Sequence, residues 1–129
     1  MVVYIIDSYA WVEYFLGSEK GEILRRLFSD ERNEFLTVEC CLAEIKGWAL
    51  REELDFDRLL RIIKSNSGIE PISEYNWISA AQERFEQKKT QRDFGLIDSV
   101  ILVKKKELKC KLVSGDKHFK GMKGVVFLG

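Results

Sequence analysis

Proline and histidine each occur once in these 129 residues, and cysteine three times. One proline and nine glycines leave few breaks, so nothing reads as a linker, an internal repeat or a low-complexity tract. Cys40 and Cys41 are adjacent and Cys110 is far from both. That odd set, without a CxxC, excludes a disulfide framework and points to free thiols in a reducing compartment. A single histidine cannot complete a Cys/His zinc set of ordinary spacing. Net charge is also missing: 21 Lys+Arg stand against 21 Asp+Glu. No large field of one sign is therefore available to hold nucleic acid by itself. No apolar run approaches the ~20 residues of a membrane span. The opening MVVYIID reaches Asp7 without the basic start of a signal peptide. The expectation is a soluble, cytoplasmic protein with no membrane partner.

What is present suffices for a core. The chain is 46% hydrophobic and 12% aromatic with 33% charged residues, a composition that folds without a disulfide or metal staple. Its length predicts one domain over residues 1–129. The charge is unevenly spread: residues 101–129 hold eight lysines against Glu107 and Asp116, and the first hundred residues carry the compensating acid. A basic end beside an acidic remainder can hold an anion next to a cation site, or can be a solvated helix face. Lys104–Lys106 read as the solvated end of a helix.

The hydrophobic pattern alternates between strand-like and helix-like stretches. Val2–Ile6, Glu34–Val38, Ile69–Ile72, Lys111–Ser114 and Gly124–Leu128 read as short strands, the third interrupted by Pro71. Between them lie helices predicted over Tyr9–Leu16 (capped by Ser8 and stopped by Gly17), from Ser18, over Glu39–Glu53, from Asp55, from Ser73 to about Lys89, and over Gly95–Leu108. Strands separated by helices imply parallel pairing and a three-layer α/β domain.

Sites in open parallel sheets form beyond the carboxyl ends of the strands. Asp7 directly follows the first strand, and Asp116 follows KLVSG. Each also reads as a turn or cap aspartate. Glu44, in CCLAEIKGWAL, and Asp98, in FGLIDSVILV, lie inside helices among apolar neighbours. A surface ion pair for Glu44 and a first-turn role for Asp98 are the plain alternatives. Four carboxylates on one rim would raise each other's pKa unless a cation were present. A hard, oxygen-seeking ion, Mg²⁺ or Mn²⁺, suits such a set, and acidic metal pockets of this kind hydrolyse phosphodiesters.

The segments IIDSYAWVEYF, CLAEIKGWA, GLIDSVILVKKK and KLVSGDKHF resemble the signature segments of a PIN domain, most closely the small VapC-type ribonucleases of toxin–antitoxin pairs. Order and spacing agree, with Glu44 lying 37 residues after Asp7, Asp98 a further 54 and Asp116 a further 18. The resemblance implies an α/β/α fold with a central parallel sheet, and metal-dependent cleavage of RNA with Mg²⁺ or Mn²⁺. It makes Asp7, Glu44, Asp98 and Asp116 the catalytic, metal-binding acids. Ser8 and Ser114 match hydroxyl residues that orient a carboxylate or a metal-bound water. It also implies a homodimer and a cognate antitoxin. Arg92, Lys117 and Lys120 flank the pocket in sequence and are the candidates for RNA-phosphate contact. His118 falls at a variable position, and metal-bound water needs no histidine base. Trp11, Trp48 and Trp77 read as core or dimer-interface residues rather than base-stacking platforms.

The rival readings are a catalytically inactive PIN-fold module that binds RNA or protein, and a phosphatase using Asp7 as nucleophile. Retention of all four acids counts against the first. Tyr9 stands where the second needs another aspartate. A flavodoxin-like cofactor domain lacks its glycine-rich loop after the first strand.

Overall fold

Val2–Ile6 forms the central strand β1 of a five-stranded sheet in the computed structural model, which describes residues 1–129. β2 (Asn33–Val38) and β4 (Lys111–Ser114) flank β1, while β3 (Gly68–Glu70) and β5 (Val125–Phe127) lie at the edges, giving the order β3-β2-β1-β4-β5. Every neighbouring pair is parallel. Ile5, Ile6, Leu112 and Val113 have no exposed surface, because strands covered on both faces need no polar alternation.

Helices make the crossovers that parallel pairing demands. α1 (Ser8–Leu16) and α2 (Glu19–Phe28) join β1 to β2; α3 (Cys40–Arg51) and α4 (Phe56–Asn66) join β2 to β3; α5 (Glu74–Gln87) and α6 (Leu96–Leu108) join β3 to β4. α1 packs on α2 and α3, and α3 on α4, while α5 pairs with α6. The result is the three-layer α/β/α arrangement expected from the sequence. Trp11, fully buried, donates its indole N–H to Thr37 Oγ1 at 3.0 Å, so the largest core side chain leaves no polar atom unpaired. Gly21 lets α2 approach α1, since a Cβ there would run into the Glu13 carbonyl. No helix is long and apolar enough to cross a membrane.

Three expectations need correction. Ser8 does not cap α1. Asp7, in extended conformation, does so by accepting the Ala10 N–H at 2.9 Å, and this frees the Ser8 hydroxyl. β3 ends at Glu70, because Pro71 has no N–H to continue the ladder. Lys104 is not solvated: only 3% of its side chain is exposed, and its ammonium lies 3.0 Å from Glu70 and 3.6 Å from Glu107. Asn76 Oδ1 accepts from it at 3.3 Å. The third turn of α6 faces β3 and α5, so this lysine meets Glu70 and Asn76 rather than solvent. Along α5, Ala80 is buried, whereas Trp77 and Phe85 are 41% and 66% exposed.

Candidate active site

β1 and β4 lie side by side and end at the same rim, with Ile6 opposite Val113. The chain leaves β1 at Asp7, whose N–H donates to the Val113 carbonyl at 3.3 Å. It leaves β4 through Ser114 and Gly115 to reach Asp116. Gly115 has to be glycine, because a Cβ would enter the Tyr9 ring on α1. Asp7 is buried, with 5% of its surface exposed. Burial is the main cause that lifts its carboxyl from 3.8 to about 7. Hydrogen bonds from the Ser114 hydroxyl and the Ala10 N–H oppose the rise, and the charges of Asp116 and Glu44 add to it.

Glu44 reaches the rim from the second turn of α3, where Ser8 donates its hydroxyl to Oε1 at 2.8 Å. Its pKa is raised, first by partial desolvation and then by the charges of Asp98 and Asp116, against the Ser8 hydrogen bond. Asp98 sits in the first turn of α6 and accepts the Gly95 N–H at 3.2 Å. Desolvation raises it too; the Gly95 bond opposes, Asp116 adds, and His118 opposes. Asp116 accepts the backbone N–H of His118 at 2.9 Å and donates its own N–H to Ser114 Oγ at 3.0 Å. Asp116 bears on the charge of each of the other three acids, and Glu44 on that of Asp7; of the two serines, Ser8 bonds Glu44 rather than the adjacent Asp7, and Ser114 bonds Asp7 across the rim.

His118 belongs to this cluster. Its Nδ1 lies 2.9 Å from Asp98 Oδ2 and 3.1 Å from Asp116 Oδ1, and its Nε2 lies 3.1 Å from Asp93 Oδ1. Both ring nitrogens are buried; Nδ1 lies between two carboxylates without a well-aligned hydrogen bond, while Asp93 faces Nε2 and favours its protonation. Desolvation pushes the imidazole down, but the facing acids Asp93, Asp116 and Asp98 outweigh it and hold it above its ordinary value. Phe94 packs edge-on to the ring, and Gln91 Nε2 donates to the His118 carbonyl at 2.9 Å. Ligand atoms of Asp98, Asp116 and His118 all fall within 4.8 Å of one another. A buried nitrogen without a hydrogen-bond partner beside two carboxylates fits a divalent cation better than it fits a closed hydrogen-bond network.

The basic candidates are less tightly placed. Lys117 is exposed and pairs with Asp93 at 3.3 Å. The Lys120 ammonium stands 6.0 Å from the centre of the Phe127 ring, and Arg92 is exposed without an ion pair. An open cleft of about 300 Å³ leads away from Glu44 and Asp116, bounded also by Tyr9, Trp48 and Arg51. Trp48 stacks on Phe15 at 6.4 Å and lines this cleft; it is not part of the buried core. Arg51 was not foreseen, although Glu44, Trp48 and Arg51 follow the i, i+4, i+7 spacing of one helix face.

No family model and no curated protein sequence matches the chain. Solved structures do. A toxin–antitoxin complex from Klebsiella pneumoniae aligns with a TM-score of 0.68 at 19% identity, covering 98% of each chain. VapBC2 from Rickettsia felis, bound to a DNA fragment from its promoter, aligns at 0.71 and 17% identity over 98% of this chain and 97% of that one. Mycobacterium tuberculosis VapC20, described as a sarcin–ricin loop-cleaving toxin, aligns at 0.76 and 13% identity over 95% and 96%. The fold is therefore the PIN-like α/β/α fold of VapC toxins.

Proposed function

We propose that this chain is a metal-dependent endoribonuclease of the VapC kind, hydrolysing RNA phosphodiester bonds, and that it is the toxin of a toxin–antitoxin pair. The observation that carries the reading is the coupling of Asp7, Glu44, Asp98 and Asp116 at the rim between β1 and β4. Asp7, Glu44 and Asp98 are each raised from their ordinary values there, first by burial and then by neighbouring charge, which is costly unless a cation offsets it. Likeness to VapC-fold structures, some solved with their antitoxins, supports the same reading.

A bound Mg²⁺ or Mn²⁺ would supply a water acidified for attack and a counter-charge for the phosphate. Asp7, Glu44, Asp98 and Asp116 would hold such an ion. The Ser114 hydroxyl and the Ala10 N–H in the first turn of α1 both bond Asp7 and orient its carboxylate. Glu44, oriented by the Ser8 hydroxyl, lines the cleft that leads to the rim, and from there it would also be open to a water or substrate oxygen. Arg92, Lys117 and Lys120 would meet the RNA phosphates, Lys117 after leaving Asp93. A separate antitoxin, a homodimeric assembly and a cytoplasmic location complete the proposal.

The test is cleavage of a labelled pool of structured RNAs, including a sarcin–ricin loop oligonucleotide, with Mn²⁺, with Mg²⁺ and with EDTA. Cutting that needs metal and disappears in Asp98→Asn supports the reading. Cutting in EDTA, or undiminished cutting by Asp98→Asn, refutes it. RNA binding without cutting under any condition favours a non-catalytic module.

A further inference from the structure

We infer that His118, through Nδ1, is a ligand of the metal centre, and that Asp93 holds its ring in the ligating orientation from the opposite side. The inference rests on the metal-dependent reading above, and it gives roles to two residues that reading leaves unused.

Three observations support it. The first is distance. Two neighbouring donors on an octahedral ion with bonds of ~2.1 Å stand about 3.0 Å apart. His118 Nδ1 lies 2.9 Å and 3.1 Å from the oxygens of Asp98 and Asp116. The second is alignment. An imidazole serving only as a hydrogen-bonded counter-charge would aim its Nδ1–H at one of these oxygens, whereas Nδ1 is buried between the two of them without a well-aligned partner. The third is the far side of the ring. Asp93 Oδ1 stands 3.1 Å from Nε2, the placement of the outer carboxylate in a carboxylate–histidine–metal arrangement, which orients the ring and makes the ligating nitrogen more basic. The Phe94 edge and the Gln91 hydrogen bond to the His118 carbonyl limit how far the residue can swing.

A nitrogen donor changes which ion the site prefers. Mg²⁺ favours oxygen ligands almost exclusively, while imidazole suits the first-row transition ions. The centre is therefore selective for Mn²⁺ over Mg²⁺, a distinction an all-carboxylate set would make only weakly.

The experiment uses tag-free protein loaded with Mn²⁺ and no RNA. The chain has one histidine, so any imidazole-nitrogen coupling to bound Mn²⁺, read by electron spin-echo modulation, comes from His118. The expected result is a nitrogen coupling in the wild type that is absent from His118→Gln. Mn²⁺ affinity should fall at least ~10-fold in that variant, with Mg²⁺ affinity, read by competition, falling less. Asp93→Asn, on the exposed side of the ring, should keep the nitrogen coupling but lose roughly 10-fold in Mn²⁺ affinity. Bound Mn²⁺ without nitrogen coupling in the wild type would overturn the inference and leave the nuclease reading standing. No Mn²⁺ binding would overturn both. If His118→Gln does not fold, the wild-type spectrum and Asp93→Asn still decide, and an unchanged affinity in Asp93→Asn refutes the role given to Asp93.

Discussion

Asp7→Asn tests the electrostatics of the rim with the fold as its own reporter. The substitution keeps an acceptor for the Ala10 N–H and removes the charge. An Asp7 pKa of about 7 against an unfolded value of 3.8 means that folding disfavours the ionised form by about 4 kcal/mol. Water entry and small shifts of neighbouring groups reduce this, so about 2 kcal/mol is a reasonable expectation, on the order of 8 °C in Tm for a chain of this size. The sign follows from proton counting. Between pH 4 and 7 the folded state holds more of the Asp7 proton than the unfolded state, so the wild type loses stability as pH rises through that window. Above about 7 the penalty is complete. The Tm difference between Asp7→Asn and wild type, measured in EDTA by circular dichroism, should be small near pH 4. It should grow through pH 5 and 6, and level off above about 7 with the variant more stable. Saturating Mn²⁺ should then reverse the order at pH 8, because binding at a hundredfold excess over Kd adds about 2.7 kcal/mol to the wild type alone. A difference that is flat with pH, or a variant less stable at pH 8 in EDTA, refutes the argument.

Lys104→Ala leaves Glu70 without its cation under α6 and should lower stability in urea by about 2–3 kcal/mol, with Mn²⁺ affinity unchanged. A loss below ~0.5 kcal/mol would show the pair to be dispensable. Gly115→Ala places a methyl group in the Tyr9 ring and should cost about 1–3 kcal/mol, together with weaker Mn²⁺ binding as Asp116 is displaced. Full stability in that variant would mean that Tyr9 moves freely. Arg92→Ala should weaken RNA binding uniformly across sequences and reduce the slope of log K against log salt by about 0.7, as removal of one single-strand phosphate contact requires. A loss that does not depend on salt would point to damage elsewhere.

How far the site can be read from the sequence depends on whether local spacing or distant packing sets each side chain. Asp7 and Asp116 were legible because topology alone decides where a residue just beyond a buried parallel strand will stand, and β1 and β4 end at one rim. Glu44 was legible because an acid among apolar neighbours on a helix needs a reason, and Ser8 supplies part of it. Trp48 and Arg51 share its helical face and could have been read from the same spacing. Lys104 could not. In a run of three lysines nothing local separates the one that turns inward, and only the convergence of β3 and α5 on α6 provides Glu70 and Asn76.

His118 is the more instructive case, because its role was open to local reasoning on one side only. DKHF makes a single 3₁₀ turn in which Phe119 is buried, so His118 must face the rim, on the side of Asp116. That much follows from a pattern of four residues. Whether the ring then meets water or acid depends on the stretch before α6, where Phe94 packs against it and Asp93 faces Nε2, and on the first turn of α6, where Asp98 faces Nδ1. These partners come from a segment that is distant in sequence and has no periodicity of its own. A histidine at a position that varies is easily set aside when each acid is judged alone. It becomes informative once the acids are counted together, because a rim with this much buried negative charge calls for a cation, and His118 Nδ1 lies within 3.1 Å of both Asp98 and Asp116, where a neutral imidazole can share that ion with them.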